Sequence, residues 1–410
     1  MKKSGLIILV AILLLAACSS KESEQNSVVD QSWEEIVQAG EGTKVRMFMW
    51  GGDDGINSYM DDWVAPRLRE LYSIDFERVP VDTGEILQKL RTEKEAGKNE
   101  GTIDIIWLNG ENFKNAKKSE LLSKPFVQKL PNFNDFYDSD NVSFQYDFGT
   151  ETNDLEAPWG KVQYVFFYDE EKIQTPPATF TELVAWIKDN PGKFTYPEAS
   201  DFSGNAFLRH VLYASAGGYE ELLENGFSEE LAAEKSEEMW DTLREIKPFL
   251  WREGQTYPNS LTELDRLFSQ EEVWMTMGYN EARAEHMIKD RIFPETTKSF
   301  VLEDVGSIGN THFLAIPFNS GNQAGAMVAI DFLLSPEAQL MKLGGEYWGE
   351  STPISLEKLS SQDKNEFDAI NRGNSVLSKE VLDQSLVPEI DAAYVEWVKE
   401  KWLDEVVERQ

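Results

Sequence analysis

From residue 45 the chain alternates between two apolar rhythms. VRMFMW (45–50) is a mainly apolar run of strand length, after which Ile56, Tyr59, Met60, Trp63, Val64, Leu68 and Leu71 recur every three or four residues, the spacing of one helix face. Pro66 falls inside that stretch. With no amide hydrogen, and a ring that meets the carbonyl four residues back, it predicts a kink or a split there. IDFERVPV (74–81) reads as a strand, TGEILQKLRTEKEAGK (83–98) puts Ile86, Leu87 and Leu90 on one helical face, and TIDIIWL (102–108) is a second buried strand. The order βαβαβ implies a mostly parallel sheet with right-handed crossovers.

The rhythm fades between 125 and 154, where an irregular segment is expected. APWGKVQYVFFYDEEKI (157–173) then predicts one long aromatic strand, and PPATFTELVAWIKDNPGKFTYP (176–197) a proline-entered helix followed by a strand. SGNAFLRHVLYASAGG (203–218) predicts an apolar helix capped by Ser203 and stopped by a glycine pair. An acidic helical region from 219 to 267 is interrupted by FLWREGQTYP, and EEVWMTMGYNEARAE (271–285) repeats the strand, glycine, turn, helix order of the opening stretch. HFLAIPFNSGNQAGAMVAIDFLLSPEAQLMK (312–342) reads as strand, loop and apolar helix, and IDAAYVEWVKEKWLDEVV (390–407) as an amphipathic helix.

Length and composition refine this. A chain of 410 residues is long for one core and predicts two or three domains. Ahead of the folded part, Lys2 and Lys3, an apolar run from Leu6 to Leu15 and small residues before Cys18 have the layout of a secretory leader, too short for a mature membrane span. Cys18 is the single cysteine, which excludes internal disulfides and thiolate metal sites. SSKESEQNSVVDQ behind it is polar and without pattern, as a tether would be. The formal net charge of −34 repels nucleic acid and anionic lipid at long range.

Several stretches, in this order, resemble one family. LLAAC at Cys18 is similar to the bacterial lipobox, in which the thiol is lipidated and the cysteine becomes the first mature residue. With the early βαβαβ, PWGKVQYVFFYDEEKI, PPATFTELVAWI and AIPFNSGNQAGAMVAIDFLLSPEAQ, the chain resembles the extracellular solute-binding proteins of ABC importers. WGGDDGIN, WLNGENF, PWG, FLWREG and IGNTHFLAIP are more closely similar to the YnjB-type subgroup, a branch named for thiamine import. The resemblance implies an α/β, two-lobed periplasmic-binding-protein fold of type II, with mixed, mostly parallel sheets, helices on both faces and a hinge. It implies a leader over 1–17, lipidated Cys18 and tether over 18–31, a first lobe from 44–158 plus 300–345, a second from 159–299, and C-terminal helices from 346–410 spanning both. It also implies a monomer outside the cytoplasm, held to the membrane by the lipid and delivering its solute to a permease and its ATPase.

WGGDDGIN follows a strand, yet lacks both the Walker lysine and the G-x-G-x-x-G spacing, so it is no phosphate loop. Either Gly51 and Gly52 turn the chain and Asp53 caps a helix, or, since ligands of parallel sheets bind beyond the strand ends, this loop with Trp50 also walls a pocket. The same placement selects Asn109, Glu111 and Asn112 in WLNGENF, Tyr279 and Asn280 after VWMTMG, and Ser203, Gly204 and Asn205 at a helix start. Trp159 and Tyr164 lie at the presumed crossover, and Asn310 beside His312 at the return crossing. Aromatic faces with carboxylates suit an organic cation such as thiamine, and equally a sugar; the Ser203 helix start offers a place for an anion.

Enzyme chemistry finds little support. His210, His286 and His312 are the only histidines, there is no G-x-S-x-G and no H-E-x-x-H, and DFYDSDN lacks the glycine and closing glutamate of a calcium loop. No catalytic residue, metal or cofactor is expected. A secreted carbohydrate-active enzyme, which would also use aromatics and acid pairs, is the competing class, with an adhesive surface lipoprotein third.

Overall fold

The computed structural model describes residues 27–408; the leader and Cys18 lie outside the described residues. Eleven strands are described: β1 (Lys44–Met49), β2 (Asp75–Pro80), β3 (Ile105–Leu108), β4 (Tyr146–Asp147), β5 (Thr150–Glu151), β6 (Glu156–Gln163), β7 (Val165–Asp169), β8 (Met275–Gly278), β9 (Thr297–Phe300), β10 (Ser307–Ala315) and β11 (Leu386–Val387). The first sheet has the order β2-β1-β3-β10, with β10 also pairing β6 and β11. β1 is parallel to β2 and β3, and β11 to β10, whereas β10 runs antiparallel to β3 and β6. The second sheet, β8-β7-β9, is antiparallel throughout. The mixed architecture thus draws its parallel pairs from the first sheet.

Each sheet has its own core. One cluster takes Val45, Met47, Met49, Ile105, Ala157, Leu314 and the apolar helix Gln323–Leu333; the other takes Val165–Tyr168, the helix Phe202–Ala216 and, from the C-terminus, Tyr394, Trp397 and Trp402. Only Tyr164 separates β6 from β7, so a single residue carries the chain from one sheet to the next, and the expected long strand over 157–173 is two strands.

Other expectations change in detail. Pro66 does not split its helix. Helix Asp54–Ser58 continues through a π-helical segment, Tyr59–Val64, into helix Ala65–Tyr72, with Pro66 in the first turn of that last piece. A wider turn placed ahead of the proline frees the carbonyl its ring would strike. The strand expected near 193–197 is absent: Phe194 and Tyr196 are buried, but the backbone hydrogen bonds from there go singly to Trp251 and Trp274. The irregular stretch holds short helices, Pro131–Phe136 and Val142–Gln145, and the hairpin β4-β5. The interruption at FLWREG is a turn in which Arg252 and Glu253 both adopt left-handed backbone, at φ 50° and 57°.

Candidate functional site

In the antiparallel register of β3 on β10, Leu314 faces Trp107, so Trp107 and Asn109 come up on the same side of the sheet as His312 and Asn310. Asn109 Nδ2, just past the end of β3, donates to Asn310 Oδ1 within β10 at 2.8 Å, joining two predicted site residues. Asn310 is 3% exposed and its own Nδ2 has no partner among the described residues. Tyr164, the residue between the sheets, is equally buried with an unpartnered hydroxyl; its ring lies against Tyr279 at 5.4 Å and His210 at 4.6 Å. Buried polar groups are rarely left unbonded, so these two atoms mark a place where something else can bond.

On the facing side Asn205 and Tyr279 belong to one network. Arg209 Nε donates to Asn205 Oδ1 at 3.1 Å, its guanidinium pairs with the Glu389 carboxylate, and the Tyr279 hydroxyl donates to Glu389 Oε1 at 2.6 Å. The Arg209 guanidinium also lies 5.3 Å from the centre of the Phe148 ring, and Phe148, Phe202 and Tyr279 form an aromatic chain with centroids 6.4 and 5.0 Å apart. Phe202 is 47% exposed. Phe148, next to the first sheet, and Phe202, on the second, therefore bring both halves of the molecule to one aromatic wall. The halves meet elsewhere too: Ala392 N donates to Phe148 O, Lys114 pairs with Asp391 at 2.8 Å, and His286 Nε2 lies 3.0 Å from Trp348 O.

Elsewhere in the first half Trp159 and Trp348, with Trp107 packed against both, enclose a buried cation. Lys342 Nζ is 5.6 Å from the Trp159 ring and 5.3 Å from the Trp348 ring, and pairs with Glu350 Oε2 at 2.6 Å. His312 Nδ1 lies 2.5 Å from Glu350 Oε1, and Lys342 also donates to Trp159 O at 2.5 Å. Burial lowers the pKa of the Lys342 ammonium, against the pull of Glu350. The register of β6 on β10 slips between His312 and Phe313, and this bulge turns Trp159, 0% exposed, into the cage. Gly160 is required there, because a Cβ would meet Glu350 Oε2 at 2.3 Å. Trp159 therefore offers no open face to a solute: its neighbours are Trp107, Trp348 and an internal ammonium.

The remaining candidates are more peripheral. Asp53 caps its helix, accepting from Ile56 N at 2.9 Å; Asn57 Nδ2 donates to Gly51 O, and Trp50, 46% exposed, folds over Gly52. Asn280 has left-handed backbone, φ 65°, and its side chain accepts from Ala282 N. Ser203 does not cap its helix. Asp201 Oδ1 accepts from the Ser203 and Gly204 amides and its Oδ2 from Leu261 N, so the carboxylate already fills the place considered for an anion. Glu111, with half-buried Asn112 beside it, begins the helix Glu111–Lys118. Burial, then the neighbouring Glu396 carboxyl, raises the Glu111 pKa to about 7, while the hydrogen bond from Glu111, and then Lys399, lower the pKa of Glu396 on the C-terminal helix. One proton is thus shared between the first sheet's helix and the C-terminal helix.

The histidines are structural or paired. His210 Nδ1 donates to Ala206 O at 2.7 Å and its Nε2 accepts from Ile308 N, and burial pushes its pKa down to about 3, so the ring is neutral. Sequence reasoning missed Arg209, Glu389, Phe148, Phe202, Lys342 and Glu350. An arginine inside the apolar run NAFLRHVLY was the available signal, since a buried cation requires a partner. Among the described residues no cluster of three or more acids and histidines could hold a metal ion, and no helix is long and apolar enough to cross a membrane.

Comparison with known proteins agrees with this architecture. The sequence profile described as bacterial extracellular solute-binding protein matches residues 63–355. The chain is 32% identical over 376 residues to Protein YnjB of Escherichia coli strain K12, covering 90% of this chain and 93% of that one. Among solved structures, it superimposes on the spermidine/putrescine ABC transporter substrate-binding protein PotD of Streptococcus pneumoniae with a TM-score of 0.61 at 17% identity, covering 88% and 98% of the two chains. On a periplasmic thiamin binding protein the TM-score is 0.57 at 16% identity, covering 89% and 96%. These structural likenesses show the two-lobed α/β fold expected from the sequence.

Proposed function

Since the chain belongs to the bacterial extracellular solute-binding proteins, the non-enzymatic binding components of ABC transporters, we propose that its solute is a small organic cation, thiamine or a relative, held where Phe148, Phe202, Tyr279, Asn109 and Asn310 converge. One observation carries the choice of charge. The buried cations of the two halves are already neutralised from within: Arg209 by Glu389, Lys342 by Glu350, Arg283 by Asp265 and Arg372 by Glu281. Burial opposes ionisation of Glu281, yet Arg372 and the Ser351 hydroxyl outweigh it and hold its carboxyl below the usual range. An anionic solute would have to break such a pair, leaving a buried carboxylate without its partner at a cost of about 3–5 kcal/mol. A cation meets aromatic faces instead, with Asp53 and Glu111 at the rim and unpartnered acceptor capacity at Tyr164.

Capture proceeds without bond making. Lobe one, from 44–158 and 300–345, and lobe two, from 159–299, hinge about β6 and β10; solute that contacts both shifts the population toward the closed form by its greater affinity for that form. The thiamin binding protein among the structural neighbours supports thiamine within this class, and Cys18 carries the lipid that holds the receptor outside the membrane beside its permease. A sugar is the second reading, favoured by the spare Asn310 amide, which suits a hydroxyl. Calorimetric titration with thiamine, thiamine pyrophosphate and maltose tests the proposal. Thiamine is expected to bind at least tenfold more tightly than either other compound; stronger binding of the pyrophosphate or of maltose would refute the cation assignment.

A further inference from the structure

Beside the hairpin β4-β5 of the first half lies a cavity of about 310 Å³ whose wall includes Phe133, Phe144, Tyr146, Asn153, Glu156 and Pro158. Its volume is at the lower end of the range for small-molecule sites. Strand alternation fixes the direction of its acid: Ala157 packs into the first core, so Glu156 and Pro158 point the other way, toward the cavity they both line. Glu156 is 1% exposed, and neither carboxyl oxygen has a hydrogen-bond partner among the described residues. This is a costly arrangement for a group that accomplishes nothing. Burial, and then the nearby Asp147 carboxyl, drive the pKa of Glu156 far up, opposed by Lys117.

The surroundings narrow what could satisfy it. Glu151 and Asp154 stand at the cavity wall, so the local charge is negative, while Asp147, its pKa pushed well up by burial, accepts from Gly110 N at 2.6 Å. Lys117, the ammonium that acts on Glu156, is engaged by Asn153 Oδ1 at 2.5 Å and by the Glu151 carbonyl, so it is not a free counterion for an anion. These acids are not arranged to share a metal ion: among the described residues no group of three or more acids or histidines could hold one. Phe133, Phe144 and Tyr146 supply ring faces that attract an organic ammonium.

We propose that this cavity is a second binding site, separate from the interlobe cleft, for a small organic ammonium whose charge is met by the Glu156 carboxylate. Entry of the cation displaces the carboxyl proton to solvent, so binding is an exchange of one cation for one proton. Because β6 begins at Glu156 and runs on to the crossover, the occupant sits on the strand that carries the chain between sheets.

Calorimetric titration of the intact protein with butylammonium and tetramethylammonium chloride, sodium chloride serving as the control, tests this. At pH 5.5, in two buffers of different ionisation enthalpy, one-site binding of an ammonium with release of about one proton is expected, weakened about tenfold or more in Glu156→Gln. That variant should remain folded, with an unchanged or raised urea midpoint, because the amide needs no proton taken up on folding. Tyr146→Ala, at the exposed rim, is expected to weaken binding about threefold through the lost ring face, and Tyr279→Phe, in the cleft, not at all. Absence of saturable heat, equal affinity in Glu156→Gln, or saturation by sodium alone would overturn the proposal.

Discussion

Two buried ion pairs divide the molecule between framework and function. Lys342 and Glu350 are both wholly enclosed, and together they engage both crossover strands: Lys342 through Trp159 O on β6, Glu350 through His312 on β10. Arg209 and Glu389 are almost as deeply buried but reach outward, through Tyr279 to Phe202 and through the guanidinium face to Phe148, which lies next to the other sheet. The first pair spends its polarity on fixing where the strands cross; the second passes it to groups both halves can present to a solute. Similar chemistry thus has opposite meaning according to whether its outermost neighbours are closed or open.

Breaking the framework pair should do the most damage. Glu350→Gln leaves Lys342 without its counter-charge among tryptophans and is expected to cost about 3–5 kcal/mol in urea unfolding; adding Lys342→Met should recover much of that loss. Trp159→Ala should also act on stability first, by about 3–5 kcal/mol, with any loss of affinity following from it; a full loss of solute binding at unchanged stability would instead place Trp159 in the pocket. Tyr279→Phe works on the other pair. It removes the bond to Glu389 and is expected to weaken solute capture about tenfold while costing about 1 kcal/mol of stability, measured by calorimetry and by urea midpoint. Asp53→Ala removes a helix cap and should cost about 1 kcal/mol.

The last effect is one of pH. Glu111 holds its proton more tightly when folded, about 7 against an ordinary 4.5, so the folded state binds more protons than the unfolded one in that window. Stability contributed by this group is present below about 4.5 and is lost as the pH rises through about 7. Glu111→Gln should therefore flatten the decline of the melting midpoint across that interval; an unaltered slope would remove the shared proton between Glu111 and Glu396.

The sequence carried the elements of the first sheet well, because each strand of VRMFMW, IDFERVPV and TIDIIWL is a short apolar run and each intervening helix repeats at helical spacing. It was less able to show where β6 gives way to β7, since both strands are buried and aromatic and only the pairing partners change at Tyr164. Ser203 looked like a cap because Asp201, two residues earlier, is equally able to cap and wins by reaching three amides. Of the candidate site, Asn109 with Asn310 and Tyr164 with Tyr279 are brought together: Asn109 and Tyr279 were chosen because they follow strands, Tyr164 and Asn310 because they lie at the crossings. Glu389 and Lys342 were not legible: Glu389 meets Arg209 across 180 residues and Lys342 meets Glu350 through a loop, and nothing local distinguishes them from the many surface charges of an acidic chain.

Small molecules released from the freshly purified, then unfolded protein, identified by mass spectrometry, test the cleft assignment most directly. The account predicts one intact organic cation in near-stoichiometric amount, its yield falling sharply in Tyr279→Ala. Recovery of a phosphorylated or otherwise anionic solute, dependent on the same tyrosine, would contradict it.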